Sequence, residues 1–177
     1  MASVGHVLVG MAAARLCREG QQTMWSPVTA GVIWSGLSLL PDADVFGFRF
    51  GVAYEDTWGH RGATHSIAFA VGVGVLVWIV ARLLKLAAGR TSLIAASVVL
   101  SHALLDTLTD GGLGCALFWP FSDERFFAPW TPIPVAPGGR AFLSLEGARI
   151  AAIESVVFAP FLIYALWPAA RTASRRR

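Results

Sequence analysis

The chain is 177 residues long, the length of one ordinary domain, with 14% charged residues, 55% in the AVILMFWYC set and a mean hydropathy of +0.61. Soluble domains carry about 25% charged residues, so this composition excludes a disordered tail, a coiled coil and a conventional nucleic-acid binder, and points to a membrane protein. Four of the fourteen cations behind the net charge of +3 are Arg171, Arg175, Arg176 and Arg177. Residues 1–170 therefore read as one nearly neutral membrane-embedded helical domain and 171–177 as a basic C-terminal tail. Cys17 and Cys115 lie far apart without CxxC spacing, so neither a disulfide framework nor a thiolate zinc site is expected.

In chain order, residues 4–16 (VGHVLVGMAAARL) predict a short N-terminal helix, amphipathic or half-inserted, in which His6 breaks the apolar run. With no basic residue among the first five, it does not read as a secretory signal. Apolar segments follow at 26–40, at 66–81 without any charge, at 92–109 with only His102 and Asp106, and at 150–170 with only Glu154. A bilayer core takes roughly 20 apolar residues per helix, so the first two segments are marginal spans. Between them lie two Gly/Pro-rich excursions, 41–65 and 110–148, the second an aromatic loop of the kind that favours the headgroup level. No sustained period-2 pattern and no internal repeat is present. The expected fold is all-α: an integral membrane helical bundle of about four transmembrane helices plus a short N-terminal helix, with two irregular polar and aromatic loops.

Alternate threading places Arg15, Arg18, Arg82, Lys85, Arg90 and the four tail arginines on one side, and Arg49, Arg61, Arg125, Arg140 and Arg149 on the other. Nine against five makes the first side cytoplasmic. Glu19, Glu55, Asp56 and Glu146 read as solvated.

The ionisable residues at the opposite helix ends stand out, because such groups at membrane depth are costly and usually functional or paired. His6 starts the N-terminal helix, and Asp42 and Asp44 follow Pro41 in LLPDAD. His60 and His65 precede the 66–81 segment in GHRGATHS, where Thr64 reads as an N-cap with His65 at the helix start. His102 and Asp106 share a helix face at i, i+4, and Glu154 lies one turn into the last segment. Threading brings all of them to one level. Each has a plainer reading: a core histidine, an ordinary Pro-Asp turn, a structural hydrogen bond, or, for Arg61, neutralisation of nearby carboxylates. Their joint occurrence favours a metal site. Mixed His and carboxylate donors without thiolate suit zinc first, with manganese or iron as alternatives. Eight candidates exceed the needs of one ion and point to two ions, or to one with catalytic carboxylates.

LLPDAD, GHRGATHS and SHALLDTLTDGG followed by WPF resemble the YdjM-like family of inner-membrane proteins, described as metal-dependent hydrolases, from His6 to about Glu154. The resemblance implies a multi-pass protein of a bacterial inner membrane, and a distant likeness to the zinc phospholipase C and P1 nuclease group, whose His/Asp/Glu metal clusters cleave phosphoesters. It implies His6, Asp42, His65, His102, Asp106 and Glu154 as ligands, with Asp44 and His60 next, and one to three ions. The expected activity is hydrolysis of a phosphoester, lipid or lipid-linked, through a metal-activated water near the extracytoplasmic face, with the C-terminus cytoplasmic. Asp42 or Asp44 is the expected general base. Arg61 and Arg125 are the expected phosphate clamp, and the aromatic loop over 117–134 is expected to admit a lipid sideways. No specific nucleic acid is expected as a partner. The alternatives are a non-enzymatic divalent-metal binding or transport module, which the uninterrupted apolar stretches Val71–Ala81 and Phe158–Ala169 disfavour, and a structural membrane protein without metal.

Overall fold

Helix α1 (Ser3–Arg18) pairs with α2 (Pro27–Ser38), whose start is set by Ser26: its hydroxyl accepts from Thr29 N at 3.1 Å, and Pro27 supplies a preset first turn. The computed structural model describes residues 3–19 and 25–168, and the basic tail 171–177 lies outside them. Gly10 lets α1 and α2 touch, since a Cβ there would sit 2.5 Å from Ser35 Cα. Ser35 Oγ then donates to Val7 O at 3.1 Å across the same crossing. Pro41 follows the end of α2, and Leu40–Phe50 winds into a 3-10 helix that Gly51 closes at φ 81°.

A second 3-10 turn, Ala63–His65, leads into α3 (Ile67–Leu83). The expected cap is corrected here. Ser66, not Thr64, accepts from Phe69 N at 3.0 Å, so His65 lies just before the helix rather than in its first turn. The Thr64 hydroxyl is committed elsewhere, to Asp44 Oδ2 at 2.7 Å. α4 (Ala88–Thr107) returns antiparallel to α3 with Gly74 against Ala96, where a Cβ would come within 2.9 Å. α1 also runs antiparallel to α4: His6 stacks on His102 at one end, while Arg90 donates to Leu16 O and Glu19 O at the other.

The loop over 108–138 is pinned to the body by two isolated bridges, Thr109 with Ile133 and Cys115 with Phe126; among the described residues no longer strand occurs. The last apolar segment begins five residues earlier than the sequence suggested and is broken: α5 (Leu145–Val157) and α6 (Ala159–Leu166) meet at 62°. Pro160 is the cause, because it has no N–H to give Val156 and its ring displaces that carbonyl. Glu154 consequently sits near the end of α5, not in a first turn.

The protein is all-helical, as expected. Among the described residues, α4 alone is long and apolar enough to cross a membrane, and α5 with α6 makes a second if the bent pair is one span. α3 is apolar but has 17 residues, about 26 Å, and the 12 residues of α2 reach about 18 Å against a core of about 30 Å. α3 nonetheless turns Val71, Val75, Leu76, Ile79 and Leu83 outward, an apolar exterior that water would not favour.

Candidate metal centre

Four elements converge at one end of the bundle. The 3-10 segment after α2 brings Asp42 and Asp44, the turn before α3 brings His60 and His65, the end of α4 brings His102 and Asp106, and the start of α1 brings His6. His102 Nδ1 lies 2.7 Å from Ser38 O. A carbonyl only accepts, so Nδ1 carries the proton and the Nε2 lone pair points inward. His65 is fixed the same way, with Nδ1 at 3.0 Å from Thr64 Oγ1 and 3.2 Å from Asp44 Oδ2.

Both Nε2 atoms face carboxylates. His102 Nε2 is 3.2 Å from Asp42 Oδ1 and 3.9 Å from Asp106 Oδ2; His65 Nε2 is 3.6 Å and 3.7 Å from the same two oxygens. Ligand atoms about 2.1 Å from a tetrahedral ion stand about 3.4 Å from one another, so these separations suit a small divalent cation. His65 Nε2 is buried without a hydrogen-bond partner, as a lone pair meant for a cation would be. Asp42, His65, His102 and Asp106 thus form a four-donor set.

Asp44 does a different job. Its Oδ1 accepts from His60 Nδ1 at 2.8 Å, and its Oδ2 from Arg61 N at 3.1 Å, Thr64 Oγ1 at 2.7 Å and His65 Nδ1 at 3.2 Å. With 1% of its side chain exposed, it orients imidazoles more readily than it takes a proton from a substrate. Asp44, His60 and His65 do form a second possible metal group, but at hydrogen-bond separations. Burial alone would raise Asp44, yet the bonds from His60 and His65 hold its carboxyl down at about 2. Asp42 behaves likewise: burial opposes ionisation, and the close approach of the His102 and His65 rings keeps its carboxyl far below the usual carboxylate range. His65 is raised despite burial, because Asp42 and Asp44 both bond its charged form.

A family model described as YdjM inner membrane protein matches residues 1–177. The chain belongs to the YdjM family. It is also 52% identical over 109 residues to inner membrane protein YbcI of Escherichia coli (strain K12), a stretch that covers 61% of each chain. No solved structure matches.

The remaining candidates in this YdjM-family chain fall outside the four-donor set. His6 stacks on His102 with ring centroids 3.7 Å apart and places Nε2 3.4 Å from Asp106 Oδ1, the oxygen turned away from the other three donors. Glu154 does not join the cluster; its Oε2 accepts from Gly5 N at 3.0 Å and so charges the start of α1. Arg61, 2% exposed, puts Nε 3.1 Å from Asp106 Oδ2 and Nη1 2.8 Å from Gly111 O, which favours the neutralising role over a phosphate clamp. Arg125 spends its donors on His60 O, Tyr54 O and Asp56 O, tying the two loops together. Thr64 and the Ser38 carbonyl were the residues that sequence reasoning missed. Thr64 lies in GHRGATHS, where its hydroxyl reads as a helix cap, while a backbone carbonyl leaves no signal in a sequence.

The centre opens through Asp42 and His60, 28% and 20% exposed at their side chains, whereas the side chains of His6, Asp44, His65, His102 and Asp106 are at most 2% exposed. Tyr54 and Phe48 stand edge-on to His60 at 5.3 and 6.5 Å, and Phe46 and Phe50 project beyond them.

Proposed function

We propose that this protein is a membrane-embedded, metal-dependent hydrolase of a phosphoester carried by a lipid. The observation that carries the reading is the inward-facing quartet Asp42, His65, His102 and Asp106, with both imidazole protons held on the outward nitrogens. These four residues would hold the ion, zinc by the donor set, with manganese or iron as alternatives. His6, beside the far oxygen of Asp106, is the candidate for a second ion. A divalent ion there supplies Lewis acidity, lowering the pKa of water and offsetting charge on a phosphoryl oxygen.

The chain's own groups divide the rest of the work. Ser38 O and Asp44 fix the tautomers of His102, His65 and His60. His60, oriented through Nδ1, keeps its Nε2 edge at the mouth, where a proton passes to or from a substrate oxygen. Arg61 offsets part of the carboxylate charge from behind. The exposed Phe46, Phe50, Phe121 and Trp130 around this end suit the headgroup level, so a substrate arrives along the interface rather than from bulk water. The bundle is read as multi-pass in the inner membrane, about four crossings with α5 and α6 as one bent span. The centre lies at the extracytoplasmic face and the Arg15, Arg18, Arg82, Lys85 and Arg90 end is cytoplasmic, as is the C-terminus.

Two measurements on detergent-purified protein test this. Elemental analysis should find stoichiometric divalent metal in the wild type and none in His102→Ala with Asp106→Ala. The metal-loaded protein should cleave at least one member of a panel of lipid and lipid-linked phosphoesters, with the double variant inactive. Metal without turnover would leave the binding-only reading standing, and no metal at all would remove both.

A further inference from the structure

The opposite end of the molecule has its own feature. A groove of about 1170 Å³ runs along α1 and α2 and past the end of α6, from Val7 and Leu39 near the metal centre to Arg15, Arg18 and Trp167. Its α1 wall from Val7 to Arg18 spans about 16 Å. The walls are aliphatic, Met11, Val28, Val32 and Leu166 among them. The α2 wall contains Gly31 and Gly36, and a Cβ built at either meets no described atom within 4 Å.

Those glycines need an explanation. Glycine is the poorest helix former after proline, and neither residue has the left-handed backbone that would require it. Nothing in the described chain approaches closely enough to need the space, unlike at Gly10 on the facing helix. The room they leave beside the described residues suits a slender aliphatic occupant. The polar end says what kind. Arg15 is already used: Nε bonds Glu19 Oε1 at 3.1 Å, Nη1 donates to Tyr164 O at 2.7 Å, and it also contacts Trp167 O. Arg90 is spent on Leu16 O and Glu19 O. Arg18 is different, because its Nε is buried and has no hydrogen-bond partner among the described residues. A guanidinium whose buried Nε has no hydrogen-bond partner among the described residues, at the end of an aliphatic trough, fits a phosphate with an acyl chain behind it.

We propose that the α1–α2–α6 groove binds an anionic phospholipid, with one acyl chain along Gly31 and Gly36 and the headgroup phosphate on Arg18. This ligand sits at the end of the bundle opposite the metal centre, so it is a resident lipid of the other leaflet and not the hydrolase substrate. The arginine-rich end is the side where anionic lipids concentrate.

Native mass spectrometry of delipidated protein in detergent, titrated with dioleoyl phosphatidylglycerol or dioleoyl phosphatidylcholine, tests it. The wild type should retain one phosphatidylglycerol at least tenfold more strongly than phosphatidylcholine. Arg18→Gln should abolish that preference while still holding either lipid weakly. Gly31→Leu should fill the trough and lose both, with unchanged helical content by circular dichroism. Metal content should be unaltered in both variants, which keeps this proposal separate from the metal centre. Equal retention of the two lipids by the wild type, or a phosphatidylglycerol adduct undiminished in folded Gly31→Leu, would overturn it.

Discussion

Asp44→Asn separates orienting an imidazole from ligating an ion. Asparagine keeps the shape of Asp44 but offers one acceptor oxygen and one NH₂ group. Three donors, Arg61 N, Thr64 Oγ1 and His65 Nδ1, converge on Oδ2, and one, His60 Nδ1, on Oδ1. The amide oxygen will therefore take the Oδ2 place and turn its NH₂ toward His60, which must give up its Nδ1 proton or rotate away. His65 keeps its tautomer but loses the charge-assisted character of its bond. Loss of such supporting bonds lowers metal affinity by roughly 10–100-fold, or about 1.4–2.7 kcal/mol. Removing a ligand outright, as in Asp42→Ala or His102→Ala, should cost more. The assay is competition of metal-stripped protein against a chromogenic chelator. Affinity within twofold of wild type would show that Asp44 does not act through the imidazoles. A loss as large as that of Asp42→Ala would show that it is itself a ligand.

Glu154→Gln should leave metal stoichiometry unchanged while lowering thermal stability by about 1–2 kcal/mol, because its carboxylate charges the α1 start through Gly5 N and lies outside the four-donor set. Gly10→Ala should destabilise by about 1–3 kcal/mol in a thermal melt, since its methyl meets the Ser35 and Trp34 backbone, whereas Gly36→Ala, open to space, should gain up to about 1 kcal/mol. Acid should destabilise the metal-free protein between about pH 4 and pH 2: Asp44 is lower folded than unfolded, so its contribution, about 2 kcal/mol, is complete above the ordinary carboxylate value and lost on descent toward about 2. His65 is raised, so its contribution is present below about pH 6.5 and lost as pH climbs through the folded value; saturating zinc should suppress this alkaline loss in melting curves, because the ion takes the proton's place.

What could be read from the residues was decided by distance along the chain. The pair His102 and Asp106 lies on one helical face by periodicity alone, and α4 presents both, buried, at the site. The convergence of His6, Asp42, His65 and His102 was legible from threading, because an apolar chain gives each ionisable group few places to go. Thr64 and Ser66 were harder to separate: either hydroxyl can cap a helix from that position. Only the approach of Asp44 from sixteen to twenty residues upstream decides which one is taken, and that approach depends on the 3-10 winding of Leu40–Phe50. Likewise 150–170 reads as one apolar run, and composition hides the bend that Pro160 imposes. The fit of a planar guanidinium to phosphate is legible from Arg61 alone, but the Asp106 that engages it lies forty-five residues away.

Charge balance bears on the candidate centre independently of any resemblance. Asp42, Asp44 and Asp106 bring three carboxylates to the site, and among the described side chains Arg61 is the permanent cation that reaches Asp106. Ser38 O and Asp44 hold the protons of His102 and His65 on their outer nitrogens, so in neutral form both rings turn lone pairs toward two of those carboxylates. Three carboxylates at a site whose side chains are largely buried call for compensating positive charge, because leaving buried charge unpaired costs several kcal/mol. Protons can relieve part of it, and the raised His65 shows that tendency, because an imidazolium N–H there finds a carboxylate to accept it. One divalent cation would add positive charge there and meet both lone pairs and both oxygens at once. The same arrangement in a water-exposed loop would carry little weight; in a chain this poor in charge it supports reading the cluster as a group that could hold a metal ion.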